Sequence, residues 1–154
     1  MKNTSLCYIF RGEEVLLLHK TRKGDGNYDK WLGVGGKFLE NESPLECALR
    51  EAKEETGLTL INPRYRARIT FISDRWESEI MHLFTCEETE GELIDCDEGE
   101  LLYLPKDKIL SLPHWEGDKI FLELITKGDE PFFELLLEYE GETLKNYELK
   151  RGSV

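Results

Sequence analysis

Glu51, Glu54 and Glu55 stand three and four residues apart in the stretch "REAKEETGL". On a helix that spacing sets the three carboxylates on one small patch, where each like-charged pair one turn apart costs about 0.2–0.5 kcal/mol. A solvated acidic face is one outcome of such a run. The other is a cation among the carboxylates. Hard oxygen donors in that arrangement suit Mg²⁺ or Mn²⁺, and Mg²⁺ characteristically keeps waters and bridges to substrate phosphates.

The elements that must position these residues are legible around them. Ser43 is a good N-cap, Glu46 three residues on completes a capping box, and Pro44 occupies the first helical position. Gly57 is placed to end the helix in a left-handed cap. Leu45, Ala48, Leu49 and Ala52 fall at core-facing spacing, opposite Arg50, Glu51, Glu54 and Glu55. Before the helix, "WLGVGGKF" is a short glycine-rich passage that lets backbone approach closely. Further out, Leu6–Phe10 and Val15–His19 predict a β-hairpin across "RGEE", and Arg22–Lys30 a polar loop. Two long β segments are expected, Arg64–Ser73 and Glu77–Thr85, the second with Ile80, His82 and Phe84 on one face. An acidic loop, "ETEGELIDCDEGE", precedes a strand at Leu101–Leu104. Asp118–Thr126 has helical spacing of Ile120, Phe121, Leu124 and Ile125, and Phe132–Tyr139 with Thr143–Leu149 makes a last hairpin. Strands that precede, separate and follow two helices predict a mixed α/β sandwich.

Composition narrows the function classes. A chain of 154 residues fits one domain, and 40% apolar content argues against disorder. The net charge of −12 excludes a basic nucleic-acid footprint, so no nucleic-acid polymer is an expected partner. An acidic chain acting on an anionic substrate needs cations between the two. Cys7, Cys47, Cys86 and Cys96 form no CxxC pair, which argues for reduced thiols and against a structural zinc. The first residues show no signal-peptide pattern and no window approaches a membrane span. A cytoplasmic protein without membrane association is expected. Oligomeric state is not legible.

The spacing continues beyond the three glutamates. From Gly36 come five residues, Glu42, seven residues, then "REAKEETGL". This resembles the Nudix box, G-x5-E-x7-R-E-U-x-E-E-x-G-U with U apolar, across residues 36–58, with Gly36, Glu42, Arg50, Glu51, Ala52, Glu54, Glu55, Gly57 and Leu58 in place. The resemblance extends over nearly the whole chain, so 1–154 is expected to be a single Nudix hydrolase domain. It implies an α/β/α sandwich around a mixed sheet and water attack on a nucleoside diphosphate linked to another group. It also implies Mg²⁺ as cofactor, with Mn²⁺ as substitute. By the same resemblance Glu51, Glu54, Glu55 and the Gly35 carbonyl are metal ligands, Glu51 doubles as base, Arg50 orients a glutamate, and Glu42 either assists from behind or binds an extra ion. One more carboxylate is expected from "DCDEGE", with Glu98 the best match and Asp97 and Glu100 as rivals.

Within that family the chain is most similar to MutT-like enzymes that cleanse oxidised purine nucleoside triphosphates. "KWLGVGGK" resembles their approach to the box, and "LPHWEGDKIFLELI" resembles their base-binding segment. The likeness implies that Trp115 stacks on a purine, Asp118 bonds its edge and Lys20 lies near the phosphates. Trp31 is a further contact candidate, with core packing the alternative. Two departures stand out: Gly117 replaces the first of two adjacent Asp residues, and Leu32 replaces an Asn that could read a purine edge. The leading expectation is conversion of 8-oxo-dGTP to 8-oxo-dGMP and pyrophosphate. The alternatives are another nucleotide (a pyrimidine triphosphate, dinucleoside polyphosphate, nucleotide sugar or capped RNA) or a sensing module without turnover.

Overall fold

The computed structural model describes residues 1–21, 27–127 and 130–152, so most of the expected loop at Arg22–Lys30 lies outside the described residues. The order is β1 (Lys2–Arg11), β2 (Glu14–Lys20), β3 (Trp31–Leu32), β4 (Val34–Lys37), α1 (Pro44–Thr56), β5 (Thr59–Ile61), β6 (Arg64–Ser73) and β7 (Glu79–Cys86). Then follow β8 (Glu88–Glu90), β9 (Gly99–Pro105), a 3₁₀ turn at Lys106–Ser111, α2 (Asp118–Thr126), β10 (Phe133–Glu140) and β11 (Thr143–Arg151).

A nine-stranded mixed sheet runs β11-β10-β6-β7-β1-β2-β3, with β4 paired to β1 and β9 to β2. The β1·β7 and β6·β10 pairs are parallel and the rest antiparallel. The long apolar runs of β1 and β2 follow from burial on both faces. Cys7, Ile9, Leu16 and Val34 pack with Ala48 and Ala52 of α1. Tyr8, Val15 and Leu17 alternate to the other face, against Phe121, Leu122 and Ile125 of α2. The α/β/α sandwich is as expected.

The expected helix start is observed. The Ser43 hydroxyl accepts the Glu46 amide at 3.1 Å, and the Glu46 carboxylate accepts the Ser43 amide at 2.9 Å. Gly57 closes α1 at φ 82° and donates to the Lys53 carbonyl. Sequence reading left out one feature: the small β5·β8 ladder, which pairs Thr59–Ile61 with part of the acidic loop.

One edge of β1 is shared, and this opens the molecule. Ile9–Arg11 pair with β2, whereas Thr4–Cys7 pair with β4. Beyond Ile9 the hairpin partners diverge, and β2 continues against β3 through Leu18 and His19. The gap becomes a cleft of about 370 Å³ lined by residues of β1–β4.

Beside that gap the Tyr8 hydroxyl is buried and makes no regular hydrogen bond among the described residues, the Gly33 amide only approaching it. A buried unsatisfied hydroxyl costs about 1–3 kcal/mol, so removing it from an unchanged shape is neutral or favourable. Tyr8→Phe is therefore expected to leave stability to urea unchanged or raise it by up to about 1 kcal/mol. A loss larger than that would show that the hydroxyl is partnered.

Candidate active site

The α1 face that carries Glu51, Glu54 and Glu55 packs against β4. Glu55 points inward, is buried, and accepts the Gly35 amide on Oε2 at 2.9 Å. Glu51 lies over Gly36 so closely that a Cβ there would stand 2.5 Å from the Glu51 carboxyl carbon. Glycine at that position is thus a steric requirement of the carboxylate above it.

Arg50 holds the arrangement together. Its Nε and Nη2 donate to the two Glu42 oxygens at 2.7 and 3.0 Å, a bidentate pair. Nη1 donates to Glu51 at 3.0 Å and Glu54 at 3.1 Å, and Nη2 also reaches the Lys37 carbonyl at 2.9 Å. These hydrogen bonds hold the Glu42 carboxyl down to about 2, helped by the Leu39 amide. Glu54, bonded to Arg50, is the most solvent-exposed of the three helix carboxylates.

From the opposite wall the turn before β9 delivers Glu98, whose carboxylate pairs with Lys20 at 2.6 Å. Among the three loop candidates Glu98 is the one that reaches the cluster. Asp97 is exposed, and Glu100 faces His19 at 3.8 Å. Ligand atoms of Glu55, Glu98 and Cys96 lie within 4.8 Å of one another. Burial and the charges of Glu51 and Glu98 push the Glu55 carboxyl up to about 9, and burial also raises Glu51. A site that disfavours its own negative charges this strongly fits a bound cation of hard character.

The far end of the cleft is aromatic. Trp115 is buried, with Phe71, Trp76 and Tyr139 packed edgewise at centroid distances of 5.6, 5.1 and 5.3 Å. Its indole N–H donates to Asn27 Oδ1 at 2.7 Å, and the Lys30 ammonium lies 4.5 Å over its ring. Asp118 is buried at the floor, and desolvation lifts its carboxyl to about 7 against the opposing charges of His114 and Lys30. Gly117 cannot carry a second carboxylate without a shift. A Cβ there would meet the Tyr139 hydroxyl at 2.8 Å, and that hydroxyl already accepts the Gly117 amide. Leu32 lines the cleft, whereas Trp31 does not and stacks on His19 at 4.3 Å. His82 sits apart, beside Phe38 and Tyr65.

Glu55, Glu98, Lys20, Trp115 and Asp118, which line the cleft, were expected from the sequence, as were Glu51 and Glu54, whose carboxylates turn instead to Arg50. Cys96, Asn27, Phe71 and Trp76 were not. Trp76 had a signal, a large aromatic in the polar turn "SDRWES". Cys96 and Asn27 had none, because only tertiary pairing brings Asn27 to the cleft and Cys96 to Glu55 and Glu98.

The NUDIX domain family model matches residues 2–125, and the chain belongs to the Nudix family. It is a hydrolase of the MutT-like kind. It is 32% identical over 150 residues to the Nudix hydrolase YvcI of Bacillus subtilis, covering 88% of this chain and 92% of that one. It is 32% identical over 126 residues to the oxidized purine nucleoside triphosphate hydrolase of Danio rerio, covering 79% and 77%. The crystal structure of the MutT protein of Bacillus halodurans superposes with a TM-score of 0.86 at 31% identity, over 97% of both chains. Among the described residues no helix is long and apolar enough to cross a membrane.

The shift of Glu55 has a consequence for the metal-free protein. An unfolded glutamate titrates near 4.5 and the folded Glu55 near 9, so between these values the folded state holds the extra proton. Stability contributed by this group is full below 4.5 and is lost as pH rises towards 9. In chelator, Glu55→Gln is expected to flatten the decline in urea stability between about pH 5 and pH 9 by about 1–3 kcal/mol. An unchanged slope would show that Glu55 ionises normally.

Proposed function

We propose that the whole chain acts as one domain that hydrolyses nucleoside triphosphates to the monophosphate and pyrophosphate, with Mg²⁺ as cofactor and an oxidised purine deoxynucleotide such as 8-oxo-dGTP as substrate. One observation carries this reading: a single cleft joins an acidic end, with Glu55, Glu98 and Lys20, to an aromatic end, with Trp115, Trp76 and Asp118. The first suits cation and phosphates, the second a base.

Glu51, Glu54, Glu55, Glu98 and the Gly35 carbonyl are the groups that would hold Mg²⁺ or Mn²⁺. When bound, such a cation neutralises phosphate oxygens and acidifies a bound water. Glu51, its affinity for protons raised by burial, is suited to accept the proton of the attacking water. Arg50 keeps Glu51 in place, and Glu42 keeps Arg50 in place. Lys20, with Lys2 and Lys37, offers positive charge in the cleft to the phosphates. At the base end, Trp115 and Trp76 present apolar walls, and a purine that stacks on the covered face of Trp115 displaces the Lys30 ammonium. Asp118, poised near 7, can accept from a ring N–H or donate to a carbonyl on the purine edge. The likeness to the zebrafish oxidised-purine hydrolase supports this base class. With Leu32 and Gly117 in place, edge recognition falls to Asp118 and Asn27, so selectivity against unoxidised bases is lower than two adjacent carboxylates would give.

The test is pyrophosphate release with Mg²⁺ across normal and oxidised nucleoside triphosphates, nucleotide sugars and dinucleoside polyphosphates. The highest kcat/KM is expected for 8-oxo-dGTP. Glu98→Gln should lower kcat about 10–100-fold on all substrates, and Asp118→Ala should raise KM for the oxidised purine most. A lead for a nucleotide sugar or dinucleoside polyphosphate would overturn the substrate reading. Tight nucleotide binding without turnover on the whole panel would overturn the hydrolytic one.

A further inference from the structure

The cation reading above places Glu55 and Glu98 around a metal, and the same few ångströms hold a sulfur. The Cys96 Sγ and one oxygen each of Glu55 and Glu98 lie within 4.8 Å of one another, close enough for one ion to touch all three. Glu55 itself points to a ligand. Its side chain is more than nine-tenths buried, Oε2 takes the Gly35 amide, and its other oxygen has no hydrogen-bond partner among the described residues while facing the cleft. The other three thiols are engaged elsewhere. Cys47 donates to Ser5, Cys86 donates to the Ile61 and Glu88 carbonyls, and Cys7 is enclosed in the α1-side core. Cys96 is fixed at the cluster by its bridge to Gly99, the residue that starts β9 against Lys20.

We propose, resting on that cation reading, that Cys96 is a further ligand of the metal site and lets it bind borderline and soft divalent cations such as Co²⁺, Zn²⁺ and Cd²⁺ more tightly than its oxygen ligands alone would, beside Mg²⁺. Oxygen ligands alone suit Mg²⁺, and a thiolate adds a soft donor that Mg²⁺ does not use and the later cations do. The metal–sulfur bond forms as the S–H proton leaves to solvent, so no oxidant or reductant takes part.

The full chain, stripped with chelator, is titrated with Co²⁺ and with Cd²⁺ while sulfur-to-metal charge-transfer absorption is recorded. Cys96→Ser, Cys96→Ala and Glu55→Gln are treated alike, each first shown by far-ultraviolet circular dichroism to be folded without metal. The wild type is expected to show the charge-transfer band, and both Cys96 variants to lose it. Cys96→Ser should bind Cd²⁺ about tenfold or more weakly while its Mg²⁺ affinity changes less than about twofold. A band that survives Cys96→Ser, no band in the wild type, or equal losses for Cd²⁺ and Mg²⁺ would each overturn the proposal. Glu55→Gln separates the two readings. If it binds Mg²⁺ as the wild type does, the cation site itself is wrongly placed. If it loses Mg²⁺ while the Cys96 variants keep their charge-transfer band, only the sulfur ligand falls.

Discussion

Five oxygen contacts from one guanidinium determine where Glu42, Glu51 and Glu54 stand. Arg50 clasps Glu42 with two donors, touches Glu51 and Glu54 with a third nitrogen, and grips the Lys37 carbonyl. It therefore joins the loop after β4 to the exposed face of α1. Without that positive charge, Glu42, Glu51 and Glu54 would face one another across a few ångströms and the loop would lose its anchor. The clasp also leaves Glu55 unneutralised, one turn further along the helix and buried beneath the group. Its own charge is opposed by burial and by Glu51 and Glu98, an opposition that a divalent cation would resolve.

The cleft has an equally simple origin in backbone pairing. A strand edge can satisfy only one partner at a time, and β1 gives its second half to β2 and its first half to β4. The wedge between them is where the chain has no ladder to close, so side chains from both partners line it. The acidic end of the wedge is set by α1 and the turn before β9, the aromatic end by β6 and the segment before α2. Tyr139, from the strand after α2, packs behind Trp115 and fills the space beside Gly117. The last hairpin therefore shapes the aromatic end of the cleft without lining it.

Local signals and long-range ones differed in what they revealed. The first helix was legible to its caps because Ser43, Pro44, Glu46 and Gly57 act within one turn of chain. The second helix matched its predicted bounds, Asp118–Thr126, because its apolar face repeats at helical spacing. The glutamate cluster was legible because the helix itself sets the spacing. The β5·β8 ladder was hidden in an acidic, polar stretch whose strand character comes only from its partner. Cys96 reads as one thiol among four until the β2·β9 register brings it to Glu55. Trp31 reads as a contact residue from its neighbours in sequence, yet its ring is held out of the cleft by stacking on His19. Periodicity and capping are local physics, whereas cleft membership depends on which strands meet.

The carboxylate arrangement calls for a divalent cation between α1 and the turn before β9. The most direct measurement is an anomalous difference map from crystals of the full chain grown with Mn²⁺. A peak is expected within about 2.5 Å of carboxylate oxygens of both Glu55 and Glu98. A peak elsewhere, or a well-ordered cluster with none, would contradict it.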